Sequence, residues 1–184
     1  MDLLVSDLVH RFDSGEIQLP IMQRDYVWKP KKVVDLLDSL YRDWPIGSFY
    51  VWQTTSDHPT KAKAGSALPA RKMDGFYGFL LDGQQRLTSL SLAIRSESNG
   101  SLSERAFFDI ENERFYLGGM KKSLAKRVDA QDPLIVPLSE IISTSREEHA
   151  ATLRRIEEAI QSMRTQQKLG KANRNESIFF GFQR

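Results

Sequence analysis

The run Asp82-Gly83-Gln84-Gln85-Arg86 lies between two strongly apolar segments, Phe76 to Leu81 and Leu87 to Ile94. A buried strand that passes through a glycine turn straight into a helix gathers the first helical N–H groups at one point. Those groups have no internal acceptor, and the helix dipole adds partial positive charge there. Such an end holds phosphate, and Gly83 lets the backbone approach a ligand with no Cβ in the way. Arg86 falls in the first turn, where a cation is disfavoured unless an anion is near, and its forked donor matches phosphate oxygens. Asp82, beside such a phosphate, can hold Mg2+ through water or orient an attacking water. The alternative is that Asp82 caps the helix and the three polar residues after it face solvent.

A second candidate is Gln23-Arg24-Asp25-Tyr26-Val27-Trp28, irregular in period and dense in polar and aromatic groups. Arg24 can reach a phosphate, and Tyr26 or Trp28 can stack on a base. The competing reading gives both rings to the core and Arg24 to an ion pair. A third is Pro45-Ile46-Gly47-Ser48, where Gly47 either brings backbone close to a ligand or simply makes a turn. The basic stretch Lys121 to Arg127 is a nucleic-acid contact or, more commonly for such runs, a solvated face.

These residues need elements to hold them. Apolar residues at Leu4, Val5, Leu8 and Phe12 predict a helix between Asp2 and Gly15, followed by a short strand from Glu16 to Leu19. Pro30 suits a helix start, and Val33, Leu36, Leu37, Leu40 and Tyr41 make one apolar face over residues 30 to 43. Residues 46 to 53 read as an aromatic-rich strand, 54 to 75 as a loop, 76 to 81 as a buried strand and 84 to 95 as a helix. Beyond these, 106 to 110 and 114 to 117 form a strand pair, and 134 to 136 is a further short strand. A capping box at Ser145 opens a helix that runs up to Gly170. Phe179, Phe180 and Phe182 in the tail suggest one more strand.

The 184 residues are enough for one domain with a real core, and 40% hydrophobic with 27% charged residues is ordinary for a folded domain. There is no cysteine, which removes disulfides, thiol nucleophiles and cysteine zinc sites. The three histidines are too far apart for a metal motif, and a net charge of +2 does not by itself argue for nucleic acid. No apolar run is long enough to cross a bilayer and the N-terminus lacks a basic leader, so a cytoplasmic protein is expected. No P-loop glycine-lysine pattern occurs, so a nucleotide site would be of another type.

In order and spacing, Gln23 to Trp28, Leu36-Leu37-Asp38-Ser39, Pro45 to Ser48 and Leu81 to Thr88 resemble the N-terminal domain of GmrSD-type restriction endonucleases. That domain belongs to the ParB/sulfiredoxin-like superfamily. The resemblance is strong over roughly residues 3 to 95 and implies an α+β fold, a compact mixed sheet with packed helices. It implies a nucleotide-binding domain over 1–120 and, over 121–184, the start of a C-terminal helical extension that is expected to be truncated. It further implies a nucleoside triphosphate with Mg2+ at the Asp82 to Arg86 turn, with Gln23 and Arg24 approaching from a facing loop. Asp82, Gln85 and Arg86 are then the catalytic residues, with Asp82 also the metal ligand. Tyr26, Trp28, Gly47, Ser48, Gly83, Gln84 and Thr88 complete the nucleotide-binding set. The partners implied are the nucleotide and, through longer members or a nuclease partner, DNA; no membrane is expected, and a homodimer is left open. Cleavage of DNA by these 184 residues alone is not expected. The other reading is a ParB-like DNA-binding or nuclease module that uses the same pocket without turning over a nucleotide.

Overall fold

The computed structural model describes residues 4–60, 75–94, 104–119, 122–142 and 146–165. Helix α1 (Val5–Asp13) buries Val9 and Phe12. It stops at Gly15, whose φ of 86° suits glycine and whose N–H returns to the Phe12 carbonyl. Strand β1 (Ile17–Gln18) follows. Helix α2 (Pro30–Tyr41) starts on its proline and buries Val33, Leu36 and Leu37 at the predicted helical spacing. Strands β2 (Tyr50–Thr54) and β3 (Tyr77–Asp82) lead to helix α3 (Gln84–Ile94).

β3 is the middle of a three-stranded sheet, parallel to β1 and antiparallel to β2. A second sheet has β4 (Ala106–Asp109) between β5 (Arg114–Leu117) and β6 (Ile135–Pro137), both antiparallel to it. Helices α4 (Lys122–Asp129), α5 (Leu138–Ile141) and α6 (Arg146–Thr165) complete the described elements. The chain is therefore mixed α+β, with two small sheets and six helices among the described residues. One apolar cluster joins both sheets, from Val9 and Phe12 through Leu87 and Phe108 to Ile156 and Ile160.

Helix α3 is the axis of this arrangement and packs on α1, α2 and α5. Nine of its eleven residues are buried, so it has no solvent face on which polar side chains could rest. Its glutamines and serines must therefore find protein partners or leave buried polar atoms unpaired. That requirement builds the site described below.

Three expectations change. The strand predicted from Ile46 begins instead at Tyr50, because Tyr50 already lies opposite Asp82, the last residue of β3, and Gly47 with a φ of 82° is not extended. The Ile46 and Ser48 carbonyls accept from the Arg86 side chain instead. The strand predicted as buried from Phe76 to Leu81 buries only its middle, with Phe76 and Leu81 about half exposed. From Lys122 on, the basic stretch lies in α4, where Lys126 is exposed but Arg127 is committed to Asp109, Asp132 and Glu111. Most of the predicted 54–75 loop, the Ser145 cap and the aromatic tail lie outside the described residues.

Candidate functional site

The two glutamines of the motif reach across to the loop that precedes α2. Gln84 Nε2 donates to the Arg24 carbonyl at 2.6 Å. Gln85 binds the same loop at both ends of its amide: Nε2 donates to the Asp25 carbonyl at 3.0 Å, and Oε1 accepts from the Val27 N–H at 2.9 Å. One turn further on, Ser89 Oγ donates to the Gln85 carbonyl at 2.7 Å and shares a 3.0 Å hydrogen bond with the Tyr26 hydroxyl. Gln23 completes the seam from the other side. Its Nε2 donates to the Leu81 carbonyl at 2.9 Å, where β3 has run past the end of β1. Residues 23 to 27 are thus held as a rigid strap along β3 and α3.

Arg86 does the same for the turn before β2. Nη1 donates to the Ile46 carbonyl, and Nη2 donates to the Ser48 carbonyl at 2.8 Å and to Asp82 Oδ2 at 3.2 Å. Its guanidinium carbon lies 4.9 Å from the centroid of the Phe49 ring. The two motif glycines serve this packing. A Cβ on Gly47, where φ is 82°, would stand 2.5 Å from Arg86 Nη1. A Cβ on Gly83, where φ is 92°, would stand 2.5 Å from Phe49 Cδ1. Both glycines make room for protein side chains.

What remains open is a polar depression of about 170 Å3 at the mouth of α3. Residues 82 to 86 line it, together with Gln23, Arg24 and Trp28 from the facing loop. Leu87 N–H is bonded to the Gly83 carbonyl, so the amides of residues 84 to 86 precede the intrahelical ladder. Asp82 keeps 67% of its side-chain exposure although it touches Arg86. Arg24 is exposed, and its side chain has no hydrogen bond or ion pair among the described residues. A larger groove of about 380 Å3 runs between α1 and the sheet; Val5, Leu8, Ile17 and Phe49 make it mainly apolar, with Arg11, Glu16 and Gln53 also on its lining.

Of the residues singled out in the sequence, Gln23, Arg24, Trp28, Asp82, Gly83, Gln84, Gln85 and Arg86 therefore meet around one depression. Tyr26, Gly47, Ser48 and Thr88 do not line it. The Tyr26 phenol turns toward Ser89; burial raises its pKa, the Ser89 hydrogen bond works the other way and the Glu104 charge adds to the rise. Trp28 is half-buried on the core, with Lys32 Nζ 5.6 Å from its ring centroid. Thr88 is buried, and its hydroxyl has no hydrogen-bond partner among the described residues. Sequence reasoning missed Phe49, the ring seated between Gly83 and Arg86, and Ser89, the link from α3 to Tyr26. Ser89 lies four residues after Gln85, which is a signal; Phe49 reads as an ordinary strand aromatic.

Two other properties bear on partners. Among the described residues no helix is long and apolar enough to cross a membrane. No group of three or more histidine, aspartate or glutamate side chains is placed to hold a metal ion, again among the described residues.

Comparison with known proteins gives the setting. The chain is 32% identical over 128 residues to an uncharacterized protein of Methanocaldococcus jannaschii, a match covering 60% of this chain and 22% of that protein. The chain thus corresponds to less than a quarter of the length of that relative. The N-terminal domain of the GmrSD restriction endonuclease matches residues 5–180, nearly the whole chain, and the chain belongs to that family.

Proposed function

We propose that this chain binds the phosphates of a nucleoside triphosphate with Mg2+ in the depression at the start of α3, and hydrolyses it, as the controlling domain of a DNA-restriction or phage-defence protein. The observation that carries the reading is that an exposed cation with no side-chain partner among the described residues, Arg24, and an exposed carboxylate, Asp82, line one depression with the first turn of a buried helix. Cation and amides suit phosphate oxygens. Membership of a restriction-endonuclease family supports the setting. With this reading goes a ParB/sulfiredoxin-like fold, in which residues 1–120 bind the nucleotide and 121–184 begin a helical extension.

The residues fit the ligand within limits. A volume of about 170 Å3 is below the roughly 300–1,000 Å3 of whole-ligand pockets, so the phosphates enter it and the rest of the nucleotide lies outside. One carboxylate at the wall suits Mg2+ that arrives on the phosphates and keeps most of its waters, since Mg2+ is usually held by one or two carboxylates plus substrate. When bound, the ion neutralises charge that develops on the phosphates. The chain's own groups have separate tasks. Arg24 binds the terminal phosphate, the amides of residues 84 to 86 orient it, and Asp82 holds a water of the ion. Gln84, Gln85 and Arg86 keep the strap and the turn in place.

Thermal unfolding with ATP, GTP, CTP and UTP plus Mg2+ tests this on the chain and on Arg24→Ala. At a hundred times the dissociation constant a ligand adds about 2.7 kcal/mol, roughly 5–10 °C for a domain of this size. The expected result is such a shift with at least one nucleotide, lost in Arg24→Ala. Asp82→Asn should keep the phosphate site and release little inorganic phosphate. No shift with any of the four, or an equal shift in the Arg24 variant, overturns the reading.

A further inference from the structure

The first turn of α2 is electrostatically at odds with its own helix. Lys29, Lys31 and Lys32 follow one another around Pro30, all three are exposed, and the turn contains no acidic residue. The positive end of the helix dipole lies under them, where cations are disfavoured, and like charges so close repel. Asp35, at helical spacing from both Lys31 and Lys32, makes no ion pair with either. Lys32 lies over the Trp28 ring, which orients its stem and leaves its charge in place. The helix cannot turn the lysines away, because Val33, Leu36 and Leu37 fix its inner face in the core. The loop before it is equally fixed, by the Gln84 and Gln85 clasp. Three cations with no ion pair among the described residues, on a rigid surface and against local helix preference, mark a place where function overrides stability.

We propose that this turn docks on the phosphate backbone of double-stranded DNA, with Lys29, Lys31 and Lys32 each neutralising a phosphate. Lysine ammonium groups are rotatable point charges that suit a regular run of phosphates without reading sequence. Duplex DNA offers one charge per roughly 1.7 Å of its axis, dense enough for three lysines within a single helical turn. An anionic membrane surface is the poorer match, because the apolar stripe of α2 is buried in the core and cannot enter a bilayer. Membership of a restriction-endonuclease family sets DNA within reach of the domain. The three lysines line no part of the depression, so the inference stands whether or not a nucleotide binds there.

Fluorescence anisotropy with a labelled 20-base-pair duplex tests it, comparing the full chain with the Lys29→Ala/Lys31→Ala/Lys32→Ala variant between 50 and 200 mM salt. Three neutralised phosphates give a slope of about −2.7 in log K against log salt, a loss of roughly forty-fold over that range. The expected result is at least that slope in the parent chain and one shallower by about 2.7 in the variant. The lysines oppose the helix dipole, so the triple variant should melt no lower than the parent chain; Lys31→Glu gives a second reading, with weaker binding and an equal or higher melt. Absence of duplex binding by the parent chain at 50 mM salt overturns the proposal. So does an unchanged slope in the triple variant, or binding to phosphatidylserine vesicles without binding to the duplex.

Discussion

Replacing Arg86 by alanine separates a structural from a ligand-binding guanidinium. In the folded chain its two Nη atoms serve the Ile46 and Ser48 carbonyls and, more loosely, the Asp82 carboxylate. A hydrogen bond from a charged donor contributes about 1.5–3 kcal/mol, so the two carbonyl bonds together are worth roughly 3–5 kcal/mol after partial replacement by water. The Asp82 contact adds little, since that carboxylate is 67% exposed and exposed pairs contribute about 0–1 kcal/mol. The Phe49 ring adds about 0.5–1 kcal/mol. A domain of this kind has about 5–15 kcal/mol in total, so Arg86→Ala should shift the urea midpoint far down without any ligand present. Arg86→Lys keeps the charge but cannot fork to two carbonyls, and should lose about half as much. If Arg86→Ala unfolds within about 0.5 kcal/mol of the parent chain, the clasp is not holding the turn and the assignment of Arg86 as a positioning residue fails.

Three further outcomes follow from the same geometry. Gly83→Ala introduces a Cβ 2.5 Å from Phe49 Cδ1 at a φ of 92°, and should cost about 2–4 kcal/mol in chemical denaturation through strain and overpacking; adding Phe49→Leu should recover part of it. Tyr26 has a pKa raised above its ordinary value of about 10, chiefly by burial. The folded state therefore holds the phenol proton more tightly, so its contribution is complete below pH 10 and declines as pH rises from there through the folded-state pKa. Stability measured from pH 8.5 to 11 should fall in the parent chain, and less steeply in Tyr26→Phe. Arg127→Met leaves the buried Asp109 carboxylate with hydrogen bonds from Glu111 N–H, Asn112 N–H and Asn112 Nδ2 but no cation. Denaturation should report a loss of about 3 kcal/mol, reduced when Asp109→Asn is added.

The strand–turn–helix junction was legible because it is local: apolar strand, glycine, then Leu87, Leu90 and Ile94 at helical spacing. So were α2 and the β4–β5 pair. The gathering of Gln23, Arg24 and Asp82 at one depression followed from motif order and from no local rule. What could not be read was the direction of the amide groups. Gln84 and Gln85 meet backbone sixty residues away in sequence, and nothing in a polar dipeptide distinguishes a ligand-binding glutamine from one that closes such a distance. The glycines were legible only in part, for a related reason. A positive φ at Gly47 and Gly83 is visible as a turn, but only the fold reveals that Arg86 and Phe49 fill the space each leaves. The late start of β2 is tertiary too, since its partner β3 ends opposite Tyr50 and turns into α3.

The clasp also affects how this motif would persist over evolutionary time. Gln84, Gln85 and Arg86 are bound to the folding of two separate segments, so selection for a stable chain keeps them even in a descendant that has abandoned every ligand. Arg24 and Asp82 have no comparable anchorage: one is unpaired among the described residues, and the other is largely exposed. Active and retired lineages would therefore diverge first at those two positions, with the central Gln-Gln-Arg intact in both.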